Sequence, residues 1–138
     1  FEKLLPLIRD YCENTGLPVY NSKRNNGFFR NLLVRKSFFE NKFLIAIITT
    51  SGEDLEMPAS NFDAKKFAEF LEEKLENKIG GVFHQISDDV ADTTQKYKKR
   101  FLLTGKAKII EKINNLTFEI SLDSFFQTNI FSAAKLYD

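Results

Sequence analysis

One cysteine, one histidine, three prolines and no tryptophan set the first limits on this 138-residue sequence. A single Cys excludes an internal disulfide framework and suits a reducing compartment, so a cytoplasmic setting is expected. One His and one Cys fall short of a conventional zinc site, and no metal is expected. No stretch nears the roughly 18 consecutive apolar residues of a membrane span. The opening Phe1-Glu2-Lys3-Leu4-Leu5 has neither the basic start nor the small-residue cleavage site of a secretory leader. The chain begins on Phe rather than Met, from which we expect a piece of a longer protein. Motifs that carry chemistry are equally scarce. Gly80-Gly81 lacks the spacing of a phosphate-binding loop, no serine sits in a nucleophile elbow, and carboxylate pairs such as Asp88-Asp89 read as ordinary surface.

What the chain does have is phenylalanine, 15 residues of it, within a hydrophobic content of 43%. That is enough for the core of one domain. Leu4, Leu5, Ile8, Tyr11 and Cys12 recur at helical spacing and predict a helix over 2–14, ended by Asn14-Thr15-Gly16. Cys12 falls on its apolar face and reads as core. Strands are predicted over 28–35 and 43–50, paired as an antiparallel hairpin around Glu40-Asn41. Ser60 or Asn61 can cap a following helix whose Phe67, Phe70, Leu71 and Leu75 face the sheet, with Gly80-Gly81 as its stop. Residues 82–86 form a third strand carrying His84, read as structural, and 87–97 a polar loop. Residues 106–113 and 116–122 make a final strand pair. Asn114-Asn115 turns between them, because Asn tolerates the positive φ of a type I′ turn. The fold class is therefore α+β, a mostly antiparallel sheet with helices packed on it.

The net charge of +1 conceals blocks. Residues 19–42 set six basic side chains, Arg30, Arg35 and Lys36 among them, against Glu40. Residues 53–76 are acidic. Residues 95–112 set seven basic side chains, Arg100 and Lys112 among them, against Glu111. If the two basic blocks meet in space they form a face for a polyanion; otherwise each is a solvated surface.

Ser124-Phe125-Phe126-Gln127-Thr128-Asn129 stands apart from all of this. An aromatic pair can stack on a flat ring, and amides can donate to and accept from a polar heterocycle. The following residues, 130–138, read as a helix.

Three stretches together resemble the RNA (uracil-5-)-methyltransferases. Gly27-Phe28-Phe29-Arg30-Asn31-Leu32-Leu33-Val34-Arg35 is similar to that family's G-x-x-R-x-(V/L)-x-(V/L)-R strand. The run from Gly105 to Ser121 is similar to its G-x-x-x-I-x-E-x-I-x-G-L-x-F-x-I-S hairpin, with Asn115 standing where the family usually has Gly. The 124–129 stretch resembles its S-F-F-Q-x-N segment, and Leu136-Tyr137 its following helix. The resemblance implies an S-adenosylmethionine-dependent enzyme forming 5-methyluridine in rRNA or tRNA, of which 1–122 would be the central RNA-handling domain and 123–138 the start of a class I methyltransferase domain. In that family a Cys thiolate attacks C6 of uracil, C5 takes the methyl group, and a base removes the C5 proton. Those residues lie far downstream of the S-F-F-Q-x-N segment, so the resemblance assigns no catalytic residue to this chain. It does imply RNA contacts at Arg30, Arg35, Phe125 and Asn129, and a contact to the cofactor or the base at Gln127. By strand parity Arg30 and Arg35 lie on opposite faces unless a bulge intervenes. The partner implied is RNA, with the protein a monomer. A non-enzymatic RNA-binding or protein-interaction module is the alternative.

Overall fold

The computed structural model describes residues 3–53, 55–88 and 99–123, and the backbone of 130–135. The order is α1 (Leu4–Asn14), β1 (Phe29–Ser37), β2 (Lys42–Thr49), α2 (Ala64–Leu75), β3 (Ile79–Ile86), β4 (Lys99–Gly105), β5 (Ile109–Ile113), β6 (Leu116–Ile120) and β7 (Ile130–Lys135). Five strands form one sheet in the order β4-β3-β2-β1-β7, and β5-β6 is a separate hairpin. All neighbours run antiparallel except β2 and β3. That parallel pair needs a crossover, and α2 supplies it.

Residues alternate across the central strands and feed two cores. Leu32, Val34, Phe43, Ile45, Ile47 and Val82 point to the helical side, against Leu4, Ile8 and Cys12 of α1 and Phe67 and Leu71 of α2. Leu33, Leu44, Ala46, Ile48 and Phe83 point to the other side, where Ile109, Ile120 and Leu122 cover them. Because β1 and β2 are covered on both faces, they read in sequence as nearly unbroken apolar runs. The phenylalanines of α2 are core as expected: Phe67 is fully buried, with Phe62 at 5.5 Å and Tyr11 at 5.4 Å between ring centroids.

Several boundaries differ from the sequence expectation, each for a local reason. The cap of α2 is Asp63, whose carboxylate accepts from Lys66 N–H at 3.2 Å; Ser60 and Asn61 fall in or beside a 3-10 turn instead. Gly80-Gly81 does not end α2. The helix stops at Leu75, with Glu76 at φ 49°, and both glycines lie inside β3. There they serve the second layer. After Gly105 turns at φ 78°, the chain crosses the sheet, and Lys106 N–H donates to Gly80 C=O at 2.8 Å. A Cβ on Gly81 would stand 2.1 Å from the Lys106 carbonyl oxygen. The hairpin reaches its face of the sheet because these positions carry no side chain.

The strand over 99–105 went unassigned in the sequence because Lys99 and Arg100 mask the β-forming Phe101-Leu102-Leu103-Thr104. The turn between β5 and β6 is as expected, with Asn114 at φ 49° and Asn115 at φ 69°. The helix expected from residue 130 is instead β7, paired antiparallel with β1 from Lys36↔Ile130 to Asn31↔Lys135. Without it β1 would present an open row of N–H and C=O groups at the sheet edge, and pairing removes that cost.

Candidate nucleic-acid interface

The aromatic-amide stretch begins immediately after a fixed point. Leu122 is buried in the core under β5-β6, and Asp123 follows it. The β3–β4 register sets Gln85 opposite Arg100. Gln85 is fully buried, and its side-chain oxygen accepts from Arg100 Nε at 2.9 Å and Nη2 at 2.6 Å. The same guanidinium donates to Asp123 from Nη1 at 2.6 Å and Nη2 at 3.0 Å, a two-pronged pairing that fixes orientation as well as distance. The hydrogen bond and charge of Arg100, helped by the charge of Arg35, hold the Asp123 carboxyl below its ordinary pKa against a weaker opposing push from burial. Burial lowers the pKa of Arg35, with Asp123 pulling the other way. Arg100 is bonded to Asp123, and Arg35, from the other basic block, acts on the same carboxyl through its charge.

The sequence-derived residues divide sharply. Arg30 and Arg35 are both buried, 2% and 6% exposed. The β1–β2 ladder skips a residue between Phe29 and Asn31, so the bulge that parity left open does occur, at Arg30. The Arg30 guanidinium donates to Ser87 C=O at 3.2 Å and lies 4.1 Å over the Tyr20 ring. Phe125, Gln127 and Asn129 lie outside the described residues.

The two basic blocks come together at the β1–β2 turn. Phe38 and Phe39 sit there 56% and 54% exposed, the opposite of what large aromatics in a folded core do. Their backbone is held from below by the hairpin. Glu111, itself buried, accepts from Phe38 N–H and Phe39 N–H, both at 2.9 Å. Ser37 Oγ donates to Ile110 C=O, and Ile110 N–H donates to the Glu40 carboxylate. Lys36 Nζ lies 5.3 Å from the Phe38 ring centroid and Lys112 Nζ 4.7 Å from that of Phe39. Lys36 also lines a cleft of about 620 Å³ with Lys3, Lys74 and Lys78. In the sequence this segment reads only as the hairpin turn around Glu40-Asn41. The available signal was an aromatic pair between basic residues at a hairpin tip, where no core needs it.

Cys12 and His84 are structural, as the sequence suggested. Burial pushes the Cys12 thiol up to about 12, which removes the thiolate a nucleophile needs. Burial holds His84 down at about 4. Its Nε2 lies 2.8 Å from Thr49 Oγ1, and Phe62 packs edge-on at 5.3 Å. Among the described residues no group of three or more His, Cys, Asp or Glu could hold a metal ion, and no helix is long and apolar enough to cross a membrane.

No protein-family model matches the chain. Among curated proteins it is 39% identical to an uncharacterized RNA methyltransferase of Clostridium acetobutylicum, over 99% of this chain and 28% of that protein. It is 33% identical to one of Caldanaerobacter subterraneus subsp. tengcongensis, over 99% of this chain and 29% of the relative. Among solved structures it resembles the Pyrococcus abyssi tRNA (uracil-54, C5)-methyltransferase in complex with S-adenosyl-L-homocysteine, with a TM-score of 0.60 at 21% identity, over 91% of this chain and 28% of that one. The chain therefore spans under a third of the length of the proteins it matches.

Proposed function

We infer that this chain is the RNA-holding segment of an RNA methyltransferase, the family whose members it matches from end to end. The observation that carries the reading is that match, 39% identity over 99% of the chain to a single stretch of a much longer protein. The whole protein would transfer a methyl group from S-adenosylmethionine to C5 of a uridine in rRNA or tRNA, acting as a cytoplasmic monomer. The fold likeness to a tRNA (uracil-54, C5)-methyltransferase and the three motif stretches support that finer reading.

Within the chain, the proposed reading divides the labour in two. The sheet and hairpin would serve as the holder, with 1–122 as the RNA-handling domain and 123–138 as the entry to the catalytic one. Arg100 and Gln85 fix Asp123 and so fix where the 124–129 stretch departs. From that anchored start Phe125 and Asn129 would meet RNA, and Gln127 would meet the cofactor or the target base. Arg30 and Arg35 would act chiefly by shaping this face, since their burial leaves little of either guanidinium in reach of a phosphate. S-adenosylmethionine supplies the methyl group when bound; the nucleophile and base that complete the reaction would come from outside this chain.

The test is binding of RNA by the 138-residue chain at two salt concentrations, followed by incubation with labelled S-adenosylmethionine. Binding that weakens steeply with salt, without methyl transfer, is the expected outcome. Absence of RNA binding would overturn the holder role. Turnover by the chain alone would overturn the placing of the chemistry elsewhere.

A further inference from the structure

We propose that the β1–β2 turn and the cleft beside it form a docking site for an unpaired stretch of RNA, with bases stacking on Phe38 and Phe39 and the backbone phosphates lying in the lysine-lined cleft. This rests on the RNA-holding role above and goes beyond it, because the two rings and the cleft lysines lie outside the stretches that resemble the family's motifs, which supply only Lys112 and the supporting Ile110 and Glu111.

Three observations converge. The first is exposure combined with rigidity. Phe38 and Phe39 are more than half open to solvent, yet their N–H groups are both held by the buried Glu111 carboxylate, and Ser37 and Glu40 bond the hairpin on either side. An exposed aromatic on a mobile loop has no assigned purpose; a pair on a turn pinned this firmly is presented to something. Preorganisation of this kind lowers the entropic cost of binding.

The second is charge. Lys36 and Lys112 stand over the two rings, and Lys3, Lys74 and Lys78 join Lys36 around the cleft. Among the described residues no carboxylate lines it. Lysines that lie far apart in sequence are thus gathered around one cleft, which is complementary to a polyanion. The two carboxylates bonded at the turn, Glu40 and Glu111, are engaged by backbone N–H groups.

The third is continuity. Lys36 Nζ lies 5.3 Å from the Phe38 ring centroid and 5.4 Å from that of Phe43, and both Lys36 and Phe43 line the cleft. Platform and cleft are therefore one surface. Alternating aromatic and cationic contacts match a single strand, which offers a flat base and a charged phosphate at every nucleotide. A protein partner fits less well, because the centres of protein interfaces are depleted in lysine.

The experiment uses the full-length protein with a labelled oligouridylate as probe and compares Phe38→Ala/Phe39→Ala with Lys74→Gln/Lys78→Gln. Stacking is worth ~1–3 kcal/mol per base, so the aromatic double variant should weaken binding by about tenfold or more. Its salt dependence should stay that of the parent protein. Phe38→Tyr/Phe39→Tyr should restore affinity. The lysine double variant should reduce the slope of log affinity against log salt by roughly 0.7 for each lysine removed. Unchanged affinity in the aromatic variant, while the parent protein binds the probe, would overturn this site and leave the RNA-holding role standing. A drop in melting temperature with unchanged affinity would likewise overturn it, because the rings would then be covered by protein. A parent protein that binds no RNA would overturn both.

Discussion

Gly81→Ala is expected to destabilise the fold by about 3 kcal/mol or more, far beyond the usual effect of adding one methyl group. The added Cβ would stand 2.1 Å from the Lys106 carbonyl oxygen and 3.2 Å from Leu44 Cδ2. The near neighbour is backbone, held where it is by the Lys106 N–H bond to Gly80 at 2.8 Å, so it cannot rotate aside as a side-chain tip would. Relief requires β3 and the start of the hairpin to separate. That would lift Ile109 and Ile120 from Leu44 and Phe83, and would move Glu111 from under the β1–β2 turn. The fitting control is Gly16→Ala. Gly16 has φ 77° but nothing within 4 Å of a built Cβ, so only the backbone term applies, about 1–2 kcal/mol. Urea unfolding of both variants measures the difference. Equal costs at the two positions would contradict the close crossing as the reason for glycine at 81.

Acid should destabilise the protein through His84 well before it protonates the carboxylates. Burial holds the imidazole at about 4, against an ordinary 6.5. Between those values the unfolded chain binds a proton that the native chain refuses, so stability falls as pH drops from about 6.5 toward 4 and levels off below that. The whole difference corresponds to roughly 3 kcal/mol, of which ~2 should be lost between pH 7 and pH 4.5. The cause is physical crowding: His84 lies against Phe62 with its Nε2 at Thr49 Oγ1, leaving an imidazolium poorly solvated. His84→Gln, which keeps a polar group for Thr49, should be less stable at pH 7 yet lose less between pH 7 and pH 4.5. If the variant showed the same acid loss as the parent, the titrating group would lie elsewhere. Asp123 works in a lower window. Its carboxyl is held below the ordinary 3.8, so its contribution is present above that value and fades as pH falls further.

These two residues also mark what could be read from the sequence and what could not. Periodicity exposed the cores, because an apolar residue on α1 or β2 repeats whatever the tertiary partner: Ile8, Phe67 and Ile45 were all legible as buried. Asn114-Asn115 was legible as a turn because positive φ limits the choice of residue. Gly81 was not, since a glycine needed for a close crossing looks the same as one that ends a helix until the crossing strand is known. β4 was hidden for a similar reason. Lys99 and Arg100 read as solvated charge, whereas Arg100 turns inward to Gln85 and Asp123 through partners 15 and 23 residues away. The same long range explains Arg30 and Arg35. Motif resemblance picked them out, but burial is a property of the assembled sheet. Phe38 and Phe39 show the converse, an aromatic pair that composition assigns to a core and topology places outside one.

As proposed above, this chain would hold RNA for a methyl transfer completed by the rest of a longer protein. The most direct measurement is nucleoside mass spectrometry of RNA incubated with the full-length protein and S-adenosylmethionine carrying a labelled methyl group. The expected result is label in 5-methyluridine, and loss of that product when Phe38 and Phe39 are replaced by alanine at limiting RNA. Label in another nucleoside would contradict the proposed position of transfer, and RNA that is bound but left unmethylated would contradict the claim itself.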